Sequence, residues 1–129
     1  MTERHTIFAP GAPAALGPYS HAVRAGGLIF LSGQTPVDPG TGALVAGDVA
    51  AQTRRCLENL ALVAEAAGAS LEAAVRCGIY VVDMNEFAQV NEAYAAFFGE
   101  QPPARSTIGV AALPLGSRVE IDAIIAAGS

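Results

Sequence analysis

Charged side chains are scarce in this sequence of 129 residues: they make up 15% of it, whereas hydrophobic residues make up 52%. This composition excludes an intrinsically disordered chain, because disordered segments combine low hydrophobicity with high net charge. The length suffices for one domain with a hydrophobic core and is too short for two. We therefore expect a single domain over residues 1–129, with part of its apolar surface buried against other subunits.

Basic residues are also few, since 7 Lys and Arg stand against 12 Asp and Glu and leave a net charge of −5. Proteins that bind nucleic acids neutralise phosphates with clustered lysines and arginines. The one adjacent basic pair here is Arg54–Arg55, which is typical of a solvated helix face. We expect no nucleic-acid partner.

Patterns typical of metal sites and membrane segments are missing as well. Cys56 and Cys77 have no CxxC spacing, and His5 and His21 have no HxH or HExxH partner. We therefore predict two buried thiols rather than a disulfide, and no metal site. No apolar stretch approaches the roughly 20 residues of a transmembrane helix, and no signal-peptide pattern follows Met1. These absences predict a cytoplasmic protein that does not bind membranes.

The apolar pattern predicts the element order β, hairpin, α, β, α, β, β. Alternating apolar residues indicate strands, and apolar residues at i, i+3, i+4 and i+7 indicate helices. The predicted elements are a strand at 5–9, a hairpin at 19–33 turning at Gly26–Gly27, a helix after the N-cap Asp48 and before Gly68, a strand at 73–83 that buries Val75, Cys77, Ile79 and Val81, a helix capped by Asp83 and ended by Gly99, and strands at 105–113 and 117–127.

These elements predict an α+β two-layer domain, in which two helices cover one face of a six-stranded mixed sheet. The opposite face would then lack a cover, although its strands are too apolar to face water. Burial against copies of the same chain, with closed cyclic symmetry, would solve this problem.

Arg105 and Glu120 are charged residues in largely apolar segments near the end of the chain. Arg105 begins a predicted strand, where its guanidinium could form a surface salt bridge or could bind a small carboxylate through two parallel N–H donors. Glu120 alternates with Val119 and Ile121, so it faces the other way. It is either a solvent-facing carboxylate or, where another subunit covers that face, a functional one. The residues alone leave both questions open.

Weaker candidates are Tyr19 after a Gly–Pro turn, Ser32–Gly33 at the end of an apolar strand, and Asn91 in the second helix. Each of them also fits a purely structural role, as a core tyrosine, a turn or a helix-face amide. The sequence has no GxSxG motif, no cysteine with a matching histidine, and no phosphate-binding glycine loop with a lysine. We expect chemistry that needs little activation and no cofactor.

The stretch PPARSTIGVAALPLGSRVEI resembles the C-terminal signature of the RidA (YjgF/YER057c/UK114) family of reactive-intermediate deaminases. LGPYSHAV, LIFLSGQTPVDPGTG, QTRRCLENL and FAQVNEAYAAFF match the family in order and spacing, so the resemblance covers essentially the whole chain. It implies a chorismate mutase-like fold, a homotrimer, and active sites between subunits. It also implies hydrolysis of 2-imino acids such as 2-iminobutanoate and 2-iminopropanoate, which pyridoxal-phosphate-dependent dehydratases form, to 2-oxo acids and ammonia.

The resemblance also implies roles for the two charged residues and for the tyrosine. Arg105 matches the arginine that binds the substrate carboxylate, and Glu120 matches the acid that positions the attacking water. Tyr19 matches a tyrosine that lines the cleft. An imine carbon is already electrophilic, so water needs orientation and modest base assistance rather than a metal or a cofactor.

Four more positions match the family's ligand-binding residues. Ser32 and Gly33 match residues near the bound ligand, and Asn91 matches the asparagine of the family's VN helix. Thr107 stands where many members carry a cysteine, so its expected contribution is the backbone N–H and thiol chemistry at that position is in doubt.

Four other functions stay open at this point. The same clefts could bind 2-oxo acids or other small carboxylates without turnover, or could serve a pathway-specific deaminase such as an aminomuconate deaminase. An endoribonuclease is a further alternative, against which the acidic charge argues. A chaperone role would leave no sign in the sequence.

Overall fold

The structure, a computed structural model, describes residues 3–127. The strands are β1 (His5–Ile7), β2 (Ala22–Ala25), β3 (Leu28–Gln34), β4 (Ala74–Val81), β5 (Ala104–Gly109) and β6 (Val119–Ala126), and the helices are α1 (Val49–Ala66) and α2 (Phe87–Phe98). They form one six-stranded sheet in the order β1-β2-β3-β6-β4-β5, in which β4 and β5 are parallel and the other neighbours antiparallel. The predicted element order and the mixed sheet are confirmed.

Helix α1 has the ends that the sequence predicts. The Asp48 side chain accepts a hydrogen bond from the Ala51 N–H at 2.9 Å, which caps one of the free donors of the first turn. The helix ends at Ala66 with Ala67 as its C-cap, and Gly68 follows with φ of 76°, a conformation that favours glycine.

Helix α2 begins later than predicted. Asp83 caps a short 3-10 turn, Met84–Glu86, by accepting from the Asn85 N–H at 3.0 Å. The α-helix starts only after that turn, at Phe87, and Glu86 makes no side-chain cap. Its end at Gly99, with φ of 67°, is as predicted.

Four predictions on the strands were wrong in detail: the burial of Val75 and the lengths of β1, β5 and β6. Val75 is exposed, because a bulge between Ala74 and Arg76 shifts the pairing of β4 with β6 by one residue and so reverses the side on which Val75 lies. β1 is shorter than predicted because the Ala9 N–H bonds to the ring of His21 rather than to a strand. β5 and β6 are also shorter, since a 3-10 turn at 114–116 and its flanking loop separate them.

The hydrophobic core lies between the helices and one face of the sheet, as predicted. Residues from both helices and from β4 and β6 belong to one buried cluster, among them Cys56, Leu60, Cys77, Ile79, Val90, Tyr94, Val119 and Ile121. The two cysteines lie there as separate buried thiols, and burial raises the pKa of both. Within residues 3–127, no helix is long and apolar enough to span a bilayer.

The opposite face of the sheet has no covering helix in the part of the chain that the structure describes. Phe30 and Ile108, which are 43% and 50% exposed, lie on this face together with Tyr80, Glu120 and Asp122. Exposed aromatic and aliphatic side chains on one sheet face are typical of a surface that another chain covers. We name this surface the open face.

Candidate functional site

A cavity of about 660 Å³ contains most of the residues that the sequence singled out. It is lined by Pro13, Ala14, Leu16, Tyr19, Ser32, Gly33, Gln34, Thr35, Val37, Gly42, Pro114, Leu115 and Glu120. We call it the Glu120 pocket. Its walls are mostly apolar with a few polar groups, which is typical of small-molecule sites.

Two buried polar side chains fasten the walls of the Glu120 pocket. Asn59 in α1 donates to the carbonyl of Val37 at 2.9 Å. His21 accepts from the Ala9 N–H through Nδ1 and donates to the carbonyl of Pro13 through Nε2, both at 2.9 Å. A ring with one accepting and one donating nitrogen is neutral. These bonds anchor the two loops that form opposite walls.

Glu120 is half-buried in its pocket, and its carboxylate packs against the backbone of Gly33. A Cβ at residue 33 would stand 3.0 Å from Cδ of Glu120, inside van der Waals contact, so the approach depends on glycine. Burial, and next the negative charge of Asp122, raise the pKa of Glu120. A carboxylate with a raised pKa is a better general base than an exposed one.

Asp122 itself is held by its neighbours on the open face. Its carboxylate accepts from the Tyr80 hydroxyl at 2.8 Å and from the Gly78 N–H at 2.9 Å. These bonds hold the carboxylate of Asp122 in place on β6, two residues from Glu120. The hydrogen bond that the Tyr80 hydroxyl donates to Asp122 also raises the pKa of Tyr80.

Tyr19 and Ser32 stand in the Glu120 pocket with their hydroxyl groups partly engaged. The Tyr19 oxygen accepts from the Leu16 N–H at 3.0 Å, which leaves its proton free to donate to a ligand. The Ser32 hydroxyl donates to the Ser20 carbonyl at 2.7 Å, which leaves its oxygen free to accept. The pocket therefore offers both a donor and an acceptor near the carboxylate.

Arg105 lies in a second, shallower cavity of about 340 Å³. The cavity is lined by Asn91, Tyr94, Ala95, Gly99, Pro102, Pro103 and Arg105, and we call it the Arg105 groove. Cζ of Arg105 is 5.0 Å from the ring centroid of Tyr94 and 5.6 Å from that of Phe87, two residues of α2. The cation thus rests over two aromatic rings.

The N–H groups of Arg105 make no hydrogen bond or ion pair with any of the residues 3–127. Such bonds are made instead by Arg24, Arg55 and Arg118. A half-buried guanidinium with free donors is suited to bind an anion from outside its own chain.

Two polar atoms near Arg105 are buried without a partner. They are Oδ1 of Asn91 and Oγ1 of Thr107. Buried polar atoms are nearly always hydrogen-bonded, so such a cluster marks a place where a ligand or another chain belongs. Thr107 follows Arg105 by two residues on β5, but it lines neither cavity.

The Glu120 pocket and the Arg105 groove lie on opposite faces of the sheet. Arg105 pairs in register with Cys77, which is fully buried under the helices, so Arg105 is on the helix side. Glu120 alternates with the fully buried Val119 and Ile121, so it is on the open face. The two charges therefore cannot pair within one protomer.

The structure thus divides the predicted site residues into two groups. Tyr19, Ser32, Gly33 and Glu120 line one cavity, whereas Asn91 and Arg105 line the other. Sequence reasoning used the apolar spacing of α2 only to predict the helix and missed the contact of its aromatic residues with Arg105. Their i, i+7 spacing, which places both rings on one helix face near the strand, is the signal that could have revealed it.

The family model described as Endoribonuclease L-PSP matches residues 10–127. The chain belongs to the RidA family. A curated RidA-family relative from Salmonella typhimurium, named 2-iminobutanoate/2-iminopropanoate deaminase, is 49% identical and covers 92% of this chain and 94% of its own. The relative of the same name from Mus musculus is 45% identical, over 97% of this chain and 93% of its own. Other relatives carry different names, among them protein DfrA from Myxococcus xanthus, which is 52% identical over 94% of each chain.

Solved structures of the family have the same fold. RidA from an Antarctic Psychrobacter is 42% identical with a TM-score of 0.90, over 95% of this chain and 98% of that one. TdcF from E. coli, solved with bound serine, is 41% identical with a TM-score of 0.89, over the same shares. Two helices on a six-stranded mixed sheet are thus the fold of this family.

Proposed function

We propose that this protein hydrolyses 2-imino acids, or the enamines in equilibrium with them, to 2-oxo acids and ammonia. The observation that carries the proposal is the pair of uncompensated, half-buried charges: an arginine with free donors in one groove and a carboxylate of raised pKa in another. The relatives named 2-iminobutanoate/2-iminopropanoate deaminase support the same reaction.

The active site of this proposal is assembled from two subunits. Arg105 and Glu120 lie on opposite faces of one sheet, so a ligand that touches both must lie between the groove of one chain and the pocket of another. Contacts between two different surfaces form rings when the rotation closes. We infer a homotrimer with a chorismate mutase-like arrangement, whose subunits also bury Phe30 and Ile108 of the open face.

Within the composite site, the guanidinium of Arg105 binds the substrate carboxylate through two parallel N–H donors. This contact fixes the imine carbon in front of Glu120 of the neighbouring chain. The Tyr19 hydroxyl and the oxygen of Ser32, which are free to donate and to accept respectively, orient the polar atoms of the reacting group.

The reaction consists of addition of water and loss of ammonia. Glu120 accepts a proton as the water oxygen forms its bond to the imine carbon, and the C=N bond becomes a single bond. With a protonated imine this addition gives an amino alcohol, and Glu120 passes the proton to its nitrogen. The C–N bond then breaks with its electron pair leaving on ammonia, and the hydroxyl group gives its proton to Glu120 as the C=O bond of the 2-oxo acid forms. Glu120 stabilises the positive charge that the nitrogen carries as it leaves. The residues supply orientation and one base, so the mechanism needs no group that the chain does not provide.

Imines released by a PLP-dependent dehydratase from threonine and serine are the substrates for the first test. We expect the wild-type protein to accelerate their decay and Arg105→Ala to reduce kcat/KM by about 10²-fold or more, since a charged hydrogen-bonded contact to the substrate is lost. Arg54→Ala removes an exposed arginine on α1 and is the matched control. Unchanged hydrolysis by Arg105→Ala would exclude the mechanism. A wild-type protein that binds pyruvate without accelerating imine decay would instead be a carboxylate-binding module.

Mixing two inactive variants tests the composite site. In a ring of Arg105→Ala and Glu120→Gln chains, a site has both groups intact when a Glu120→Gln chain supplies the Arg105 groove and an Arg105→Ala chain supplies the Glu120 pocket. Random assembly in equal amounts gives this arrangement at about a quarter of the interfaces, so the refolded mixture as a whole should recover about a quarter of the wild-type activity. If refolded mixtures stay inactive, the two residues do not belong to one inter-subunit site.

A further inference from the structure

Two aromatic residues of α2 lie beneath the one arginine that the proposed reaction uses. We propose that Phe87 and Tyr94 are positioning residues, whose rings hold the guanidinium of Arg105 in the orientation that binds the substrate carboxylate. This inference rests on the proposed function, because it assigns Arg105 the same ligand.

The guanidinium of Arg105 contacts both aromatic rings. Cζ of Arg105 lies 5.0 Å from the Tyr94 centroid and 5.6 Å from the Phe87 centroid, both within the range of a cation–π interaction. Asn91 and Thr107, the nearby polar side chains, do not hold it, since their buried oxygens have no hydrogen-bond partner. A long, flexible arginine on an edge strand would otherwise lose rotamer freedom when it binds a ligand.

The spacing of the two rings follows from the helix. Residues 87 and 94 are seven apart, so two turns of α2 place them on one face, about 10 Å apart along the helix axis, with Arg105 in contact with both rings. Tyr94 is 4% exposed and packs against Phe98 at a centroid distance of 4.7 Å, which makes it a rigid support. Phe87 is less buried and stands at the first residue of the helix.

The ring of Tyr94, and not its hydroxyl, is the part that acts on Arg105. Burial, and next a contact of the hydroxyl with the Cys77 thiol, raise the pKa of Tyr94, so the phenol is neutral at any physiological pH. An aromatic face attracts a cation through its quadrupole without an ionised group. We therefore expect phenylalanine at position 94 to hold the guanidinium of Arg105 as tyrosine does.

Four variants separate this role from a general effect on folding. Tyr94→Leu and Phe87→Leu each remove one ring, and Tyr94→Phe removes the hydroxyl alone. Phe97→Leu removes an aromatic ring of the same helix that contacts Phe98, and it is the matched control. Each is assayed for kcat and KM on the threonine-derived imine, for the Kd of pyruvate by calorimetry, and for Tm.

We expect Phe87→Leu and Tyr94→Leu to raise KM and the Kd of pyruvate about 5- to 10-fold each while kcat changes less than about 3-fold, because a uniform binding contact is weakened. Tyr94→Phe should keep both constants within about twofold of wild type. Phe97→Leu should lower Tm without raising KM. Phe87 lies outside the buried core, so Phe87→Leu gives a folded variant even where Tyr94→Leu does not.

Two results would overturn the inference. One is a KM for Phe87→Leu no higher than that of Phe97→Leu, and the other is a loss in Tyr94→Phe as large as in Tyr94→Leu. Both differ from failure of the proposed function, in which Arg105→Ala itself would hydrolyse the imine at the wild-type rate.

Discussion

Replacing Gly33 by alanine tests whether the position of the Glu120 carboxylate determines the rate. The added methyl group would point directly at that carboxylate, since a Cβ at residue 33 lies 3.0 Å from Cδ of Glu120 and 3.2 Å from its Cγ. Gly33 does not have the positive φ of residues such as Gly26 and Gly42, so alanine can adopt its backbone conformation. The substitution therefore changes the site while leaving the backbone of β3 in place.

The size of the effect follows from the contact distance. Carbon atoms in contact are about 3.5–4.0 Å apart, so Cδ of Glu120 must retreat by about 0.5–1 Å, and the carboxylate oxygen Oε2, which lies closer to the added methyl group, must move by about 1 Å or more. A misplacement of about 1 Å in a catalytic group costs on the order of 10²-fold in rate, or about 2.7 kcal/mol of activation free energy. The flexible end of a glutamate moves at little cost to folding, so we expect the Tm to stay within about 3 °C of wild type.

The assay is the dehydratase-coupled decay of the threonine-derived imine, with kcat and KM measured for each variant. Gly11→Ala is the matched control, because a Cβ at residue 11 meets no atom within 4 Å. The double variant Gly33→Ala/Glu120→Gln adds a second criterion. If alanine acts through Glu120, the double variant should be no slower than Glu120→Gln alone, since coupled residues are not additive.

Three results would refute this reasoning. A wild-type kcat for Gly33→Ala would mean that the carboxylate position does not limit the reaction. Losses that multiply in the double variant would mean that Gly33 acts independently of Glu120. An equal loss in Gly11→Ala would mean that the loss in Gly33→Ala does not depend on the contact with Glu120.

Two further predictions concern pH and the wall of the pocket. Because a base must be ionised, kcat/KM should fall as the pH drops through the raised pKa of Glu120, above the ordinary value of about 4.3. Asp122→Asn removes a charge that raises this pKa, so the acid limb of the profile should move to lower pH; an unmoved limb would assign it to another group. His21→Gln can still accept from the Ala9 N–H and donate to the Pro13 carbonyl, so it should retain the KM, whereas His21→Ala should raise it several-fold and lower Tm by about 4–8 °C. Equal KM values for the two His21 variants would show that these hydrogen bonds do not shape the pocket.

Most of the secondary structure could be predicted from local patterns, because caps and periodicity depend on neighbouring residues. Asp48 and Gly68 bracket α1 in the structure as in the sequence. The errors arose where longer-range contacts intervened. Val75 fits the alternation of a buried strand, but a bulge against β6 turns it to solvent. Asp83 has the side chain of a helix N-cap, but it caps the 3-10 turn Met84–Glu86 that precedes α2.

The candidate site was predicted as a set of residues but not as an arrangement. The residue types in the last two strands, one arginine and one glutamate among apolar neighbours, were visible without coordinates. The contact of Arg105 with Phe87 and Tyr94 was not, because it joins residues on different elements. Nor could the sequence reveal that Gly33 leaves room for Glu120.

The sequence by itself determined the order of the helices and strands and, apart from Val75 at the bulge of β4, which residues of a strand share a face, since these follow from the two periods of regular structure. The tertiary structure alone decided which face each strand presents to the helices. β5 joins the sheet parallel to β4 after the crossover through α2, which puts Arg105 on the helix side, whereas β6 enters between β3 and β4 with Glu120 on the open face. Strand pairing over such separations depends on the packing of the whole core, and it is this pairing that sets the two charges on opposite sides of the sheet.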